Sequence, residues 1–134
     1  MPINMQGLCP LLQVFDMPTS VRFYRDVLGF KIFNNSPARA QDDFDWVWFK
    51  QGETELMLNT AFEYDSRPPA RDPARAAGHD DIGLFIGCPD VDEAYRYLRD
   101  KGLDVKPPKV QPYGMKQLYL KDPDGFGICL QWSA

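Results

Sequence analysis

Few side chains in this sequence are equipped for chemistry. His79 is the only histidine, and the three cysteines, Cys9, Cys88 and Cys129, stand far apart. Any site needing two imidazoles from one chain is excluded, as are the usual zinc-hydrolase ligand sets unless carboxylates or thiolates replace imidazole. There is no CxxC pair, no glycine-rich phosphate loop and no paired nucleophile and base. A cysteine nucleophile needs a lowered thiol pKa, and none of the three has a base beside it in sequence. Glu55 is the sharpest candidate. It sits in the apolar run Glu55-Leu56-Met57-Leu58-Asn59, and a carboxylate is costly to bury unless it is paired or its pKa rises. It is a candidate general base or a recogniser of a cationic ligand. The alternatives are an Arg partner or a place on the outer face. His79-Asp80-Asp81 reads as an exposed segment.

The elements that must hold these residues follow from periodicity. Residues 7–15 read as a strand. Asp16 caps a helix with Pro18 in its first turn, Val21, Tyr24, Val27 and Leu28 form its apolar face, and Gly29 ends it. Residues 30–33, 44–50 and 54–59 read as three strands, the last two joined by a short loop containing Gly52. Residues 61–80 carry Pro68, Pro69 and Pro73 and read as a connector. Arg67, Arg71 and Arg75 are read there as solvated, with a lid over an anionic ligand as the alternative. The pattern then restarts with a strand over 82–88. Asp90 and Glu93 form a capping box, and a helix runs to Gly102. Strands follow over 103–105, 115–120 and 127–132, the last after the turn Asp122-Pro123-Asp124-Gly125.

Composition bounds the rest. At 134 residues the chain predicts one domain. It is built of a first module over 1–60, the connector over 61–80 and a second module over 81–134. With 44% apolar and 25% charged residues it is globular in type. A net charge of −4 argues against nucleic acid, no apolar stretch is long enough for a membrane span, and the N-terminus lacks a signal-peptide pattern. Reduced cysteines in the cytoplasm are therefore expected.

The two halves match in detail. At an offset of 74, Asp16 falls on Asp90, Arg22 on Arg96, Arg25 on Arg99 and Asp26 on Asp100, and Gly29 falls on Gly102 after one deletion. This is an internal repeat of a strand, a helix and three strands. The duplication, the stretch Phe23-Tyr24-Arg25-Asp26-Val27-Leu28-Gly29-Phe30 and the Asp122–Gly125 turn resemble the vicinal oxygen chelate superfamily, the glyoxalase, bleomycin-resistance and extradiol-dioxygenase group. The resemblance implies an α+β fold of two βαβββ modules, each a half-open cup. The cups pair within a chain or across a homodimer, around a small-molecule cavity.

In the metalloenzymes of that family the first and last strands of each module supply metal ligands. The matching slots here are Cys9, Glu55, Gly83 and Cys129. Only Glu55 keeps the family's ligand type, and a hard divalent ion wants oxygen and imidazole donors, so no metal cofactor is expected. The alternative is zinc on Cys9, Glu55 and Cys129. Alternation places Gln13, Met57, Asn59, Phe85 and Gln131 on the same faces as the slots. With Glu55, Cys129 and Tyr113 they make the candidate ligand-binding set. Gln117 and Tyr119 share one side of their strand, while the inward face of residues 44–50 is left open. The favoured function is binding or sequestering an amphipathic small molecule without a metal. The alternatives are a divalent-metal-dependent lyase or dioxygenase with a non-standard ligand set, and a metal-free enzyme using Glu55 as base.

Overall fold

The computed structural model describes residues 2–134. The chain divides into two compact units, one ending at Arg67 and the other beginning at Pro68. Each contains a four-stranded sheet and a helix across one face of it.

In the first unit β1 (Leu11–Val14) leads into α1 (Met17–Arg22), then β2 (Lys31–Asn35), β3 (Trp46–Gln51) and β4 (Thr54–Thr60). The sheet order is β1-β4-β3-β2, with β1 parallel to β4 and the other pairs antiparallel. Period-two alternation sends Leu12, Val14, Val47, Phe49, Leu56 and Leu58 into the core. From the helical segment Met17, Val21 and Tyr24 join them. Tyr24, Phe30 and Phe49 form a ring trio with centroids 6.0–6.1 Å apart. Asp16 caps α1 by accepting from the Thr19 N–H, and it also accepts from the Thr19 hydroxyl and from Arg67 at 2.6 Å. Burial would raise its pKa, but the Thr19 hydroxyl and Arg67 outweigh burial and lower it. Arg67 is thus tied to the cap while its side chain stays exposed to solvent.

Beyond Arg22 the helix widens into a π segment, Phe23–Val27, in which the Leu28 N–H donates to the Phe23 carbonyl. A π segment accommodates one extra residue. That residue is the single deletion separating Gly29 from Gly102 in the repeat. Both glycines close their helices at positive φ, +82° and +89°. Arg25, in the π segment, grips Asp42 with two bonds of 2.8 and 3.0 Å. This holds the Asp42 carboxyl below the usual range.

The second unit begins with a helix that the proline-rich connector did not suggest. Asp72 caps α2 (Pro73–Gly78) by accepting from the Ala74 N–H, with Pro73 in the first turn. A single 3-10 turn, His79–Asp81, follows. Asp72-Pro73 is itself a start signal, but Pro68 and Pro69 nearby obscured it. Next come β5 (Gly83–Gly87), α3 (Val91–Asp100), β6 (Lys109–Val110), β7 (Met115–Lys121) and β8 (Gly127–Ser133), in the order β5-β8-β7-β6. Val91 and Leu98 from α3 are buried with Leu118, Leu120 and Ile128.

Three expectations shift. The first strand starts at Leu11 rather than residue 7, leaving Cys9 in irregular chain. Residues 103–105 form no strand, because the Leu103 N–H closes α3 by donating to the Leu98 carbonyl and Pro107-Pro108 follow, so β6 comes later and is short. His79 is half-buried rather than exposed. Its ring stacks on Phe126 at 3.8 Å, and Nδ1–H donates to the Asp124 carbonyl at 2.7 Å. The turn it touches is held from within, where the buried Asp122 accepts from the N–H groups of Asp124 and Phe126. Arg71 also reaches Asp124, at 3.8 Å, from an exposed position. The connector is therefore a clasp on the Asp122–Gly125 turn.

Two substitutions test these joints. At Gly125 φ is +86°, and an added Cβ would stand 3.0 Å from the Ala76 carbonyl oxygen. Gly125→Ala is expected to cost about 2 kcal/mol in chemical denaturation. Asp42→Asn keeps a residue tolerant of the positive φ (62°) at that position but removes the ion pair. It is expected to cost about 1–2 kcal/mol at neutral pH. A depressed carboxylate pKa stabilises above its unfolded value and loses that contribution as pH falls through the folded value. The stability advantage over Asp42→Asn should therefore shrink as the pH falls through the depressed folded pKa of Asp42.

Candidate functional site

The core and the open face of each sheet are the two sides of the same alternation. In the first sheet Val47, Phe49, Leu56 and Leu58 are buried, so Trp46, Trp48, Lys50, Glu55, Met57 and Asn59 share the opposite face. This answers the question left open for residues 44–50: both tryptophans are on the side of Glu55. Cross-strand pairing sets Trp48 opposite Met57, Lys50 opposite Glu55, and Leu11 and Gln13 opposite Met57 and Asn59.

Lys50 organises this face. Its Nζ lies 3.6 Å from Glu55 Oε1, 3.7 Å from the Phe33 ring centroid and 5.1 Å from that of Trp48. Phe33 stands edge-on to Trp48 at 4.8 Å. Trp46 donates through Nε1 to Met57 Sδ at 3.4 Å, whereas the Trp48 indole N–H is buried with no hydrogen-bond partner. Asn59 donates to the Thr60 carbonyl at 3.3 Å. The partner of Glu55 is thus a lysine, and the pair remains half-buried and accessible. A surface cavity of about 550 Å³ adjoins it, lined by Gly29, Lys31, Phe33 and Lys50 among others.

In the second sheet the open face carries Phe85, Cys129, Gln131, Gln117 and Tyr119, with Tyr113 reaching over from the turn before β7. Gln117 joins four side chains into one network. Its Oε1 accepts from Tyr113 at 2.9 Å and from Tyr119 at 2.7 Å, and its Nε2 donates to Gln131 Oε1 at 2.9 Å. Phe85 stands edge-on to Tyr119 at 6.3 Å. Phe85, Tyr113 and Tyr119 are all exposed.

The four family slots differ in what they offer a metal. At Gly83 there is no donor, and a Cβ built there would lie 3.0 Å from the Phe85 ring, which fills the space. Burial pushes the Cys129 thiol up, and its Sγ–H points to the Leu130 carbonyl. Burial and the Glu55 charge also push the Cys9 thiol up, against Lys50. Binding a metal there would have to displace a proton from each thiol against burial. Among the described residues no three His, Cys, Asp or Glu side chains cluster to hold an ion. His79, spent on Asp124, adds none. Of the four slots, only Glu55 carries the oxygen donor that a hard divalent ion prefers.

Sequence reasoning missed Phe33, Lys50 and the joining role of Gln117. Gln117 stands opposite Gln131 only through the β7–β8 register. Phe33 lies at an irregularity in the β2–β3 pairing, which plain alternation cannot anticipate.

Residues 8–130 match the family described as "Glyoxalase/Bleomycin resistance protein/Dioxygenase superfamily". The chain belongs to this superfamily. Among curated relatives it is 26% identical over 114 residues to the uncharacterized protein YaeR of Escherichia coli K12, covering 84% of each chain. It is 28% identical over 121 residues to biphenyl-2,3-diol 1,2-dioxygenase 3 of Rhodococcus globerulus, covering 90% of this chain but 60% of the dioxygenase. Among solved structures it resembles TnmS3, an antibiotic binding protein from Streptomyces sp. CB03234. That match has a TM-score of 0.70 and 26% identity, over 100% of this chain and 99% of the other. A bleomycin-binding protein complexed with bleomycin shares the fold, with a TM-score of 0.69 and 21% identity, over 97% of this chain and 100% of the other.

Gly83→Ala probes the occupied slot. The Phe85 ring is exposed and free to turn, so it should swing aside at a cost under about 1 kcal/mol. A crystal structure and a melting curve of the variant check this; an unmoved ring would mean that the slot was open.

Proposed function

We propose that this protein binds a flat, amphipathic aromatic small molecule on the open faces of its sheets, without a divalent metal. One observation carries the reading. Each open face is lined by aromatic rings with a few orienting polar groups, the usual make-up of a small-molecule site, and one of those rings, Phe85, stands beside Gly83, 3.0 Å from where a Cβ would be. The binding functions in the names of TnmS3 and the bleomycin-binding protein agree with it. Gln13, Met57 and Asn59 line the first face; Phe85, Tyr113, Cys129 and Gln131 line the second. The Glu55–Lys50 pair meets a polar end of the ligand rather than acting as a base, because the carboxylate already has a cationic partner. A pI near 4.9 favours a cationic ligand over an anionic one.

A homodimer in the cytoplasm completes the proposal. The exposed apolar residues Ile3, Met5 and Leu8 support self-association, and three unpaired cysteines suit a reducing compartment. The metal-dependent lyase or dioxygenase reading would need donors that the four slots do not supply. The zinc alternative would need two thiolates where burial favours thiols.

The test is titration with proflavine, a planar aromatic cation, followed by tryptophan fluorescence and thermal shift in buffer containing EDTA. Saturable quenching with an unchanged Kd after chelation is expected, because Trp46 and Trp48 lie on the binding face. Trp48→Ala should weaken binding about tenfold, the loss of one stacking ring. Binding that disappears on chelation and returns with zinc or manganese would overturn the metal-free reading.

A further inference from the structure

The hydrogen-bond directions on the second sheet go a step beyond aromatic binding. Gln117 is only 3% exposed, while Tyr113 and Tyr119 above it are 67% and 53% exposed. The Tyr119 and Tyr113 hydroxyls both donate to Gln117 Oε1, at 2.7 and 2.9 Å. Both phenol protons therefore point down to the one buried amide oxygen, whose two lone pairs they use up. The amide is fixed in that orientation because its Nε2 donates to Gln131 Oε1. Consequently the two exposed phenol oxygens offer only lone pairs to anything above them. Gln131 offers its Nε2–H groups and the second lone pair of its Oε1. Phe85, 56% exposed, supplies a ring wall beside them.

We propose that this face selects aromatic ligands that carry hydrogen-bond donors, a phenol O–H or an amine N–H, directed at Tyr113 and Tyr119, and rejects those carrying a carboxylate there. A carboxylate would set its lone pairs against those of two phenol oxygens, and burying it unpaired is costly. The inference rests on the proposed binding function and names its ligand class.

Four probes on one ring system test it by calorimetry: naphthalene, 2-naphthol, 2-naphthylmethylamine and 2-naphthoate. The naphthol and the amine should bind about tenfold or more tighter than the naphthoate, the worth of one hydrogen bond made or refused. Phe85→Ala should weaken all probes alike. Tyr119→Phe keeps Gln117 bonded to Tyr113 and guards against misfolding. It should reduce the donor preference severalfold and leave naphthalene affinity unchanged. Gln117→Met frees both phenol protons, so the discrimination against naphthoate should shrink. Equal affinities across the polar probes, or a preference untouched by Tyr119→Phe and Gln117→Met, would overturn the inference and leave the binding function standing. Failure of every probe to bind would overturn both.

Discussion

A four-stranded sheet with a single helix has one covered face and one bare face, and every feature of this protein depends on that asymmetry. Side chains alternate across a strand, so each apolar residue committed to the helix side commits its neighbour to the other. Val47 and Phe49 must be buried under the first helical segment, and that alone puts Trp46, Trp48 and Lys50 on the bare side. The same holds in the second unit, where Leu118 and Leu120 are buried and Tyr119 between them is exposed. The proposed binding surface is the complement of the core, and no separate device is needed to build it.

On those bare faces the ligand slots of the family's metalloenzymes have become something else. Glu55 faces Lys50, burial pushes the Cys9 and Cys129 thiols up, and Gly83 leaves room for the Phe85 ring. A small residue at one slot and a ring moved into its space act together, since a side chain at Gly83 would crowd Phe85. The polar groups that remain are tied to one another. Lys50 bridges carboxylate and rings on one face, and Gln117 bridges two tyrosines on the other. Such pairing fixes the rings in place, which lowers the ordering cost of binding.

The lone histidine took on a different meaning. With no second imidazole it pointed away from metal chemistry. Its place is structural: stacked on Phe126 and bonded to the Asp124 carbonyl, it clasps the connector onto the turn before the last strand. That turn is rigid because the buried Asp122 holds the N–H groups of Asp124 and Phe126. The π segment of the first helix tells a similar story. It is the one-residue offset between the repeats made visible, and it carries the Arg25 that reaches Asp42.

The sequence by itself determined the duplicated order of strands and helices, the caps at Asp16 and Asp90, the terminating glycines and the loss of family donors at three slots. Those are local matters: periodicity, capping and residue type act over a few neighbours along the chain. Only the tertiary structure decided which tryptophan face is open, that Lys50 rather than an arginine meets Glu55, that Phe85 fills the Gly83 slot, and that Gln117 takes both tyrosine protons. These depend on strand register and on residues far apart in sequence. Alternation names two faces without saying which one a helix will cover.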